Sequence, residues 1–231
     1  MPAEKRRNRS ARRTLVVDIG GTHVKLRVDS RGTIGKFVSG PRMTPARMMR
    51  QIRKLTRTLR YDAVAIGYPG VVVRGRIVAN PHNLGKGWVG FDFARAFGKP
   101  VRVINDAAMQ AIGSYQGGRM LFLGLGTGLG AALVIDGAVE PTEIGHMPYK
   151  HGRTFEEYVG ERGRKRLGNR KWRKAVAAVV SDLKAAFEAD YVVLGGGNAV
   201  RLKTVPRDVR LGDNRNAFLG GVRLWRMNGA R

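Results

Sequence analysis

Two glycine-rich turns are the features of this chain whose residue types and spacing could do chemistry. In the first, Asp18 directly precedes Ile19-Gly20-Gly21-Thr22, and the second runs Gly124-Leu125-Gly126-Thr127-Gly128-Leu129-Gly130. Glycine turns expose backbone N–H groups and adopt the positive φ angles of anion-binding nests, so each turn could hold phosphate oxygens. A carboxylate before such a turn can hold Mg²⁺, commonly through water, although it is equally an ordinary turn residue.

Asp106 is the candidate general base. It follows Asn105 at the end of an apolar segment, 101–104, and precedes an apparent helix. When a hydroxyl attacks a terminal phosphoryl group, a carboxylate within about 3 Å can align that hydroxyl and take its proton. Asn105 could hydrogen-bond the same substrate. Both residues are also good helix N-caps, and the local sequence alone slightly favours that role.

Glu143 and His146 form a further candidate pair in the sequence Thr-Glu-Ile-Gly-His. A glutamate can accept hydrogen bonds from vicinal hydroxyls, and an imidazole can add another. A lone pair of this kind is more often an ordinary surface pair. The chain has no cysteine among its 231 residues, which excludes disulfides and cysteine-ligated zinc and is compatible with a cytoplasmic location.

The net charge of +26 predicts an affinity for polyanions, since a field of this size raises their encounter rate. Nucleic acid, inorganic polyphosphate and an acidic surface all qualify, and arginine-rich codon usage is a compositional alternative. The basic segment 1–13 lacks an apolar secretory stretch and is predicted to be a disordered tail. No run of about 20 apolar residues is present, so no membrane span is expected.

The basic stretch 162–174 has two interpretations. A stretch of this kind is usually the solvated face of a helix. The alternative is a binding track for a long phosphate polymer. The residues of the candidate track are Arg162, Arg164, Lys165, Arg166, Arg170 and Lys171.

The elements that must position these residues alternate between strands and helices. Buried strands are predicted in the hairpins 14–28 and 119–135 and at 63–66, 101–104 and 191–194, with a further strand at 33–38 and a small hairpin over 71–78. Helical spacing of apolar residues predicts helices over 44–60, 107–115, 172–187 and 216–226. This order predicts two related α/β lobes around a cleft, with a boundary near residue 107 and ligands gathered at the carboxyl ends of strands.

These pieces in this order resemble the ROK family (repressors, open reading frames and sugar kinases), and within it the bacterial polyphosphate glucokinases. The similar motifs are VVDIGGTHVK, GYPGVV, ANPHNLGKGW, VINDA, LGLGTGLGAALVIDG, EIGH and LGGG. The resemblance implies the actin-like (ribonuclease-H-like) two-lobed fold, closure over a sugar, Mg²⁺-dependent phosphorylation of a hexose hydroxyl, and a homodimer. It also implies a small lobe at 14–107, joined by the C-terminal helix 216–231, and a larger lobe at 108–215.

The resemblance further implies individual roles. Asp106 corresponds to the catalytic base. The implied sugar ligands are Gly70, Asn83, Asn105, Asp106, Glu143, His146 and Glu156, with Glu157 as the competitor for the last position. The implied phosphate and metal ligands are Asp18, Gly20, Gly21, Thr22, Lys25, Gly126, Thr127 and Gly128, with Mg²⁺ at Asp18. The strip near the adenosine of ATP-dependent relatives corresponds to Gly195, Gly196 and Gly197. The family's zinc cluster is missing, so no zinc is expected.

Three functions follow. The first is a hexokinase that transfers phosphate from polyphosphate, and also from ATP, to the 6-hydroxyl of glucose or mannose. The second keeps the sugar kinase with ATP as its sole donor. The third is a polyanion or nucleic-acid binder on a kinase scaffold, which the charge favours but which the retained Asp106, Glu143 and His146 count against.

Overall fold

The computed structural model describes residues 12–29, 35–213 and 215–226. A five-stranded mixed sheet occupies the first part of the chain, in the order β3-β2-β1-β4-β7. β1 pairs antiparallel with β2 and parallel with β4, and β4 pairs parallel with β7. The strands of this sheet are β1 Thr14–Ile19, β2 His23–Val28, β3 Gly35–Val38, β4 Ala63–Tyr68 and β7 Val101–Asn105, and a separate small hairpin consists of β5 Val72–Val73 and β6 Arg76–Ile77.

The second sheet repeats this topology, in the order β10-β9-β8-β11-β12. Again a tight hairpin is extended by one antiparallel strand on one side and by two parallel strands on the other. Its strands are β8 Arg119–Leu125, β9 Leu129–Ile135, β10 Ala138–Thr142, β11 Tyr191–Gly195 and β12 Val209–Leu211. The predicted duplication of an α/β unit is therefore confirmed at the level of strand order and direction.

The central strands are buried along their whole length because both faces of the sheet are covered, and apart from Thr14 and Asp18 the residues of β1 are apolar. All six residues of β1 and all six of β4 are buried, as parallel strands between helices require. The helices are α1 Pro45–Thr56, α2 Phe93–Phe97, α3 Asp106–Ser114, α4 Phe155–Val159, α5 Glu161–Ala186 and α6 Asn216–Leu224, with 3₁₀ turns at Ile144–His146 and Ala199–Arg201.

Local capping explains where several helices begin. The Thr44 hydroxyl accepts the N–H of Arg47 at the start of α1, and Pro45 occupies the first helical turn, where its missing N–H costs nothing. Helix α5 begins eleven residues before the predicted position 172 and bends at Gly168, whose φ of 70° suits glycine alone. Its apolar face, which includes Trp172 and Val176, is buried as predicted.

Helix α6 returns to the first sheet and crosses α3 closely. A Cβ at Gly220 would lie 1.8 Å from the carbonyl oxygen of Met109, and one at Gly221 would meet Val16 of β1. Both positions therefore require glycine, because α6 packs closely against α3 and β1. The division into lobes near residue 107 stays a prediction.

Parts of three predictions lie outside the described residues: segment 1–11 of the predicted tail, positions 33–34 of the third strand, and positions 227–231 of the C-terminal helix. Of the described helices, none combines the length and apolar character needed to cross a lipid bilayer.

Candidate active site at the two glycine turns

The carboxyl ends of three neighbouring strands bring the first group of candidate residues together. Asp18 on β1 is in register with Gly67 on β4, and Gly67 is in register with Ile104 on β7. Since adjacent strands lie about 4.8 Å apart, Asp18 and the Asn105-Asp106 pair share one edge of the sheet. This is the edge at which ligands gather in open α/β sheets.

Asp18 is a buried carboxylate with a cation beside it. Its residue surface is 8% exposed, and the Lys25 Nζ lies 3.7 Å from its Oδ2. Burial raises the pKa of Asp18, and the Lys25 ammonium opposes that shift in part. Lys25 therefore supports the charged form of Asp18, which is the form that a metal ion needs.

Asp106 begins α3 and carries an unusual proton affinity. Burial first, and then the nearby charges of Asp18 and Glu143, raise the pKa of Asp106 to about 7, while the Ala107 N–H, which donates to Oδ1 at 2.8 Å, lowers it. Because Asp18 and Glu143 both raise the pKa of Asp106, the three carboxylates lie close enough to interact electrostatically. A carboxyl group with a pKa near neutrality can take up and release a proton under physiological conditions.

Asn105 caps α3, and its side chain also bonds to the loop at Gly70. Its side-chain oxygen accepts the N–H of Ala108 at 3.1 Å and so caps α3, while its Nδ2 donates to the Gly70 carbonyl at 3.2 Å. These bonds hold the side chain beside Asp106 and join the 70 loop to the strand edge. Capping and placement beside the site are therefore compatible.

The first glycine turn is shaped by its neighbours. The Gly20 N–H donates to the His23 carbonyl, and the Ser39 hydroxyl donates to the Gly20 carbonyl at 2.6 Å. A Cβ at Gly21 would lie 3.4 Å from the Cβ of Asn83. The structure therefore places Asn83, a predicted sugar ligand, against the predicted phosphate turn.

The second glycine turn is held in place by hydrogen bonds that its carbonyl groups accept. The Glu161 N–H, at the start of α5, donates to the carbonyls of Gly126 and Thr127 at 3.0 and 3.2 Å. The Asn198 side chain donates to the Gly126 carbonyl at 3.1 Å. Thr127 itself remains exposed. The turn thus uses its carbonyls for internal bonds while its tip stays accessible.

The two halves of the site meet where β9 crosses the start of α3. A Cβ at Gly130 would lie 2.9 Å from the Cβ of Ala107, the residue after Asp106. The strip of Gly195, Gly196 and Gly197 packs behind the second glycine turn, because Gly196, at a φ of 82°, lies against the Leu125 backbone. The predicted adenosine strip and the second predicted phosphate turn are therefore neighbours.

Glu156 and Glu157 are separated by their contacts. The Glu156 Oε2 lies 3.7 Å from the His146 Nε2 and accepts the Leu129 N–H at 3.3 Å, so it faces the second turn. Glu157 completes a capping box with Thr154 at the start of α4. Glu156, rather than its competitor, lies with His146. Glu143 and His146, at the two ends of one turn, are both exposed to solvent.

A cluster of aromatic rings holds the loop between His146 and Glu156. The Tyr149 ring stacks on Phe155 at a centroid distance of 4.5 Å and meets Tyr158 edge-on at 5.2 Å. The Tyr149 N–H also donates to the Arg153 carbonyl at 2.8 Å. These contacts tie the loop to α4, so His146 is positioned by packing and backbone hydrogen bonds.

The candidate polyphosphate track begins at the second glycine turn, because α5 starts there. Arg164 is engaged by Glu161 through two hydrogen bonds of 2.8 and 2.6 Å, and Arg166 donates to the Glu157 carbonyl. Lys165 lies 3.9 Å from the same Glu161 carboxylate. The remaining residues are exposed and, within the described part of the chain, have no ion-pair partner: Arg162, Arg170 and Lys171.

Several supporting residues escaped prediction from the sequence. Glu161, Asn198 and Ser39 shape the site through contacts between distant segments, and Tyr149 does so through ring contacts within its own part of the chain. The signal available for Tyr149 was its place between two candidate ligands. No comparable local signal marks the other three.

Among the described residues, no three His, Asp or Glu side chains are close enough to enclose a metal ion by themselves. Mg²⁺ is commonly held by one or two carboxylates, substrate phosphates and water, so such a cage is not required. Asp18 and Asp106 are desolvated carboxylates that repel each other. A divalent cation between phosphate and Asp18 would offset that repulsion, so the donor set fits the ion.

Comparison with known sequences gives one family and a consistent group of relatives. The model of the ROK family matches residues 14–166. The polyphosphate glucokinase of Mycobacterium leprae (strain TN) is 28% identical over 218 residues, which cover 85% of this chain and 67% of the relative. The polyphosphate glucokinase of Mycobacterium tuberculosis (strain CDC 1551 / Oshkosh) is 27% identical over 203 residues, which cover 78% and 76%.

Solved structures share the fold over nearly their whole length. The inorganic polyphosphate/ATP-glucomannokinase of Arthrobacter sp. strain KM superposes with a TM-score of 0.79 at 22% identity, covering 92% of this chain and 98% of that one. A ROK family glucokinase from Streptomyces griseus, solved with glucose and AMPPNP, gives a TM-score of 0.75 at 19% identity with the same coverage. The expected actin-like sugar kinase fold is confirmed.

Proposed function

The chain belongs to the ROK family, its relatives include sugar kinases, and we propose that it transfers a phosphoryl group to the 6-hydroxyl of glucose or mannose. The proposed donor is inorganic polyphosphate, with ATP as a second donor. The proposal rests on Asp106, whose carboxyl group has a pKa near 7 and lies at the carboxyl end of β7, with a glycine turn on either side. Brønsted behaviour makes a base of that pKa efficient near neutral pH.

In the proposed mechanism, the hexose hydroxyl gives its proton to the Asp106 carboxylate. The hydroxyl oxygen forms a bond to the terminal phosphorus of the donor, and the bond from that phosphorus to the bridging oxygen breaks. The electron pair leaves with the shortened donor chain. Amide groups of the two glycine turns hold the phosphate oxygens and stabilise their charge. Mg²⁺, held by Asp18 through water, would supply further positive charge there.

The proposed sugar site lies around Asp106. Exposed Glu143 and His146 accept or donate hydrogen bonds to sugar hydroxyls, and Glu156 orients His146 from 3.7 Å. The remaining proposed ligands are Gly70, Asn83 and Asn105, which the structure ties to the same strand edge and first turn.

Polyphosphate is favoured as donor because a basic helix starts at the second glycine turn. The exposed cations of α5 begin at Arg162, directly after Glu161, whose N–H donates to the Gly126 carbonyl. ATP as the sole donor is the second candidate, which the position of the 195–197 strip behind the same turn favours. The proposed homodimer rests on family resemblance, the proposed cytoplasmic location rests on the absence of cysteine, and both stay predictions.

A donor-by-sugar screen tests the proposal. Initial rates are measured with long-chain polyphosphate or ATP as donor and with glucose, mannose or N-acetylmannosamine as acceptor, each with and without Mg²⁺. The expected result is Mg²⁺-dependent formation of glucose or mannose 6-phosphate with polyphosphate. Turnover with ATP alone would move the assignment to the second candidate. The absence of hexose phosphorylation by either donor would refute the kinase assignment.

A further inference from the structure

Helix α1 carries a basic face that the proposed mechanism does not use. Residues 40–61 contain seven lysines and arginines and no acidic residue. Four of these cations follow one another at spacings of three and four residues, which places them along one side of the helix. We call this the α1 basic face: Arg47, Arg50, Lys54 and Arg57, all of them exposed. The opposite side, with Met48 and Ile52, is buried in the core.

Within the described residues, no carboxylate pairs with the α1 basic face. Three aspartates of the first part of the chain have other partners: Asp29 accepts the Thr14 N–H, Asp62 accepts the Arg13 N–H, and Asp92 caps α2. Like charges three and four residues apart destabilise a helix. A face of this kind therefore lowers stability unless an anion neutralises it.

Helix α1 starts at the end of the sheet that carries the first glycine turn. Val38, at the end of β3, pairs with His23, and Ser39 bonds to the Gly20 carbonyl in that turn. β3 and β4 both run parallel to β1, so the intervening α1 must run in the opposite direction. The helix therefore starts at the ligand edge of the sheet and leads away from it.

The second lobe repeats this arrangement. Helix α5 begins at the second glycine turn, where the Glu161 N–H bonds to the turn carbonyls, and its first half carries the exposed Arg162, Arg170 and Lys171. In each lobe, a basic helix that comes after the antiparallel strands thus starts at the end of the sheet that carries the glycine turn. Two cationic surfaces leave the site on opposite lobes.

We propose that the α1 basic face binds the distal part of a long inorganic polyphosphate chain whose reacting end lies between the glycine turns. This inference rests on the proposed function and extends it to the first lobe. At a rise of about 1.5 Å per residue, Arg47 and Arg57 lie about 15 Å apart along the helix axis. A triphosphate held in the site is too short to follow that face, whereas a long chain can. The face therefore confers a preference for long donors.

The test compares two fourfold glutamine variants with the same change in charge. In the first, the α1 basic face is neutralised (Arg47→Gln, Arg50→Gln, Lys54→Gln and Arg57→Gln). The matched control neutralises four exposed cations elsewhere: Arg76, Lys99, Arg207 and Arg226. Thermal unfolding and far-UV circular dichroism show that both are folded. Dissociation constants are then measured for long-chain polyphosphate, tripolyphosphate and ATP over a series of salt concentrations.

The α1 variant is expected to bind long-chain polyphosphate at least tenfold more weakly, with tripolyphosphate and ATP changed less than twofold. By analogy with single-stranded nucleic acid, its salt slope should fall by about 0.7 for each lost contact. An equal loss in the control variant, or no loss in the α1 variant, overturns the proposal.

Competition with duplex DNA at an equal phosphate concentration tests nucleic acid as the alternative ligand. Stronger binding of DNA than of polyphosphate at the α1 basic face also overturns the proposal. Because binding needs no turnover, failure of this surface is distinguishable from failure of polyphosphate as phosphoryl donor, which the wild-type rate assay reports.

Discussion

Replacing Asp106 by asparagine separates its chemistry from its structural role. Asparagine has nearly the same size and keeps an oxygen that can accept the Ala107 N–H, which donates to Asp106 at 2.8 Å. It cannot take a proton from a hydroxyl. We expect turnover to fall about a hundredfold or more, since general-base catalysis commonly contributes that much, while hexose affinity is largely retained.

The same substitution makes a quantitative prediction for folding stability. The pKa of Asp106 is raised from its ordinary 3.8 to about 7, so between these values the folded protein holds a proton that the unfolded chain has released. Its contribution to stability is fully present below about pH 4 and is lost as the pH rises through 7. Three pKa units correspond to about 4 kcal/mol, as an upper figure. Asparagine does not ionise, so the variant does not lose this contribution to stability as the pH rises.

The free energy of unfolding of the Asp106→Asn variant, relative to wild type, should therefore increase by up to about 4 kcal/mol between pH 4 and pH 8. Urea titrations at several pH values measure this difference directly. The matched control is Asp136→Asn, at an exposed turn position whose φ of 50° asparagine tolerates well. A difference that does not change with pH, together with near-normal turnover, would refute the view of Asp106 as a desolvated general base.

Three further predictions concern the sugar and donor sites. Glu156→Gln should raise the Michaelis constant for hexose, whereas Glu157→Gln should leave it unchanged, because glutamine at that position also completes the capping box with Thr154; steady-state kinetics distinguish the two, and equal kinetic effects would contradict the assignment. Tyr149→Ala should raise that Michaelis constant several-fold through a misplaced His146, whereas Tyr149→Phe, which keeps the stacking, should not; a matched loss in both variants would contradict positioning by ring packing. A variant in which the exposed cations of α5 are neutralised (Arg162, Arg170 and Lys171) should have a higher Michaelis constant for long polyphosphate, with a smaller increase for ATP. Equal effects on the two donors would contradict the polyphosphate track.

Local patterns in the sequence predicted most of the strands and the longer helices, but not α2, α4, β10 or β12. The apolar run before Asp18 predicts a buried strand, and the glycines after it predict a tight turn, because both depend on neighbouring residues alone. Asn105 and Asp106 after a second apolar run predict a strand end and a helix start. The duplication followed from two hairpins of the same construction, and the structure confirms it in both sheets.

The tertiary structure decided which of several equivalent side chains act together. Glu156 and Glu157 are identical in type and adjacent in sequence, and only the packing of α4 against the second turn turns one toward His146 and the other into a cap. Arg164 reads as a track residue, yet Glu161 engages it. The pKa of Asp106 depends on burial and on charges brought close by the fold. Long-range electrostatics and side-chain direction depend on three-dimensional distance, which no local pattern encodes.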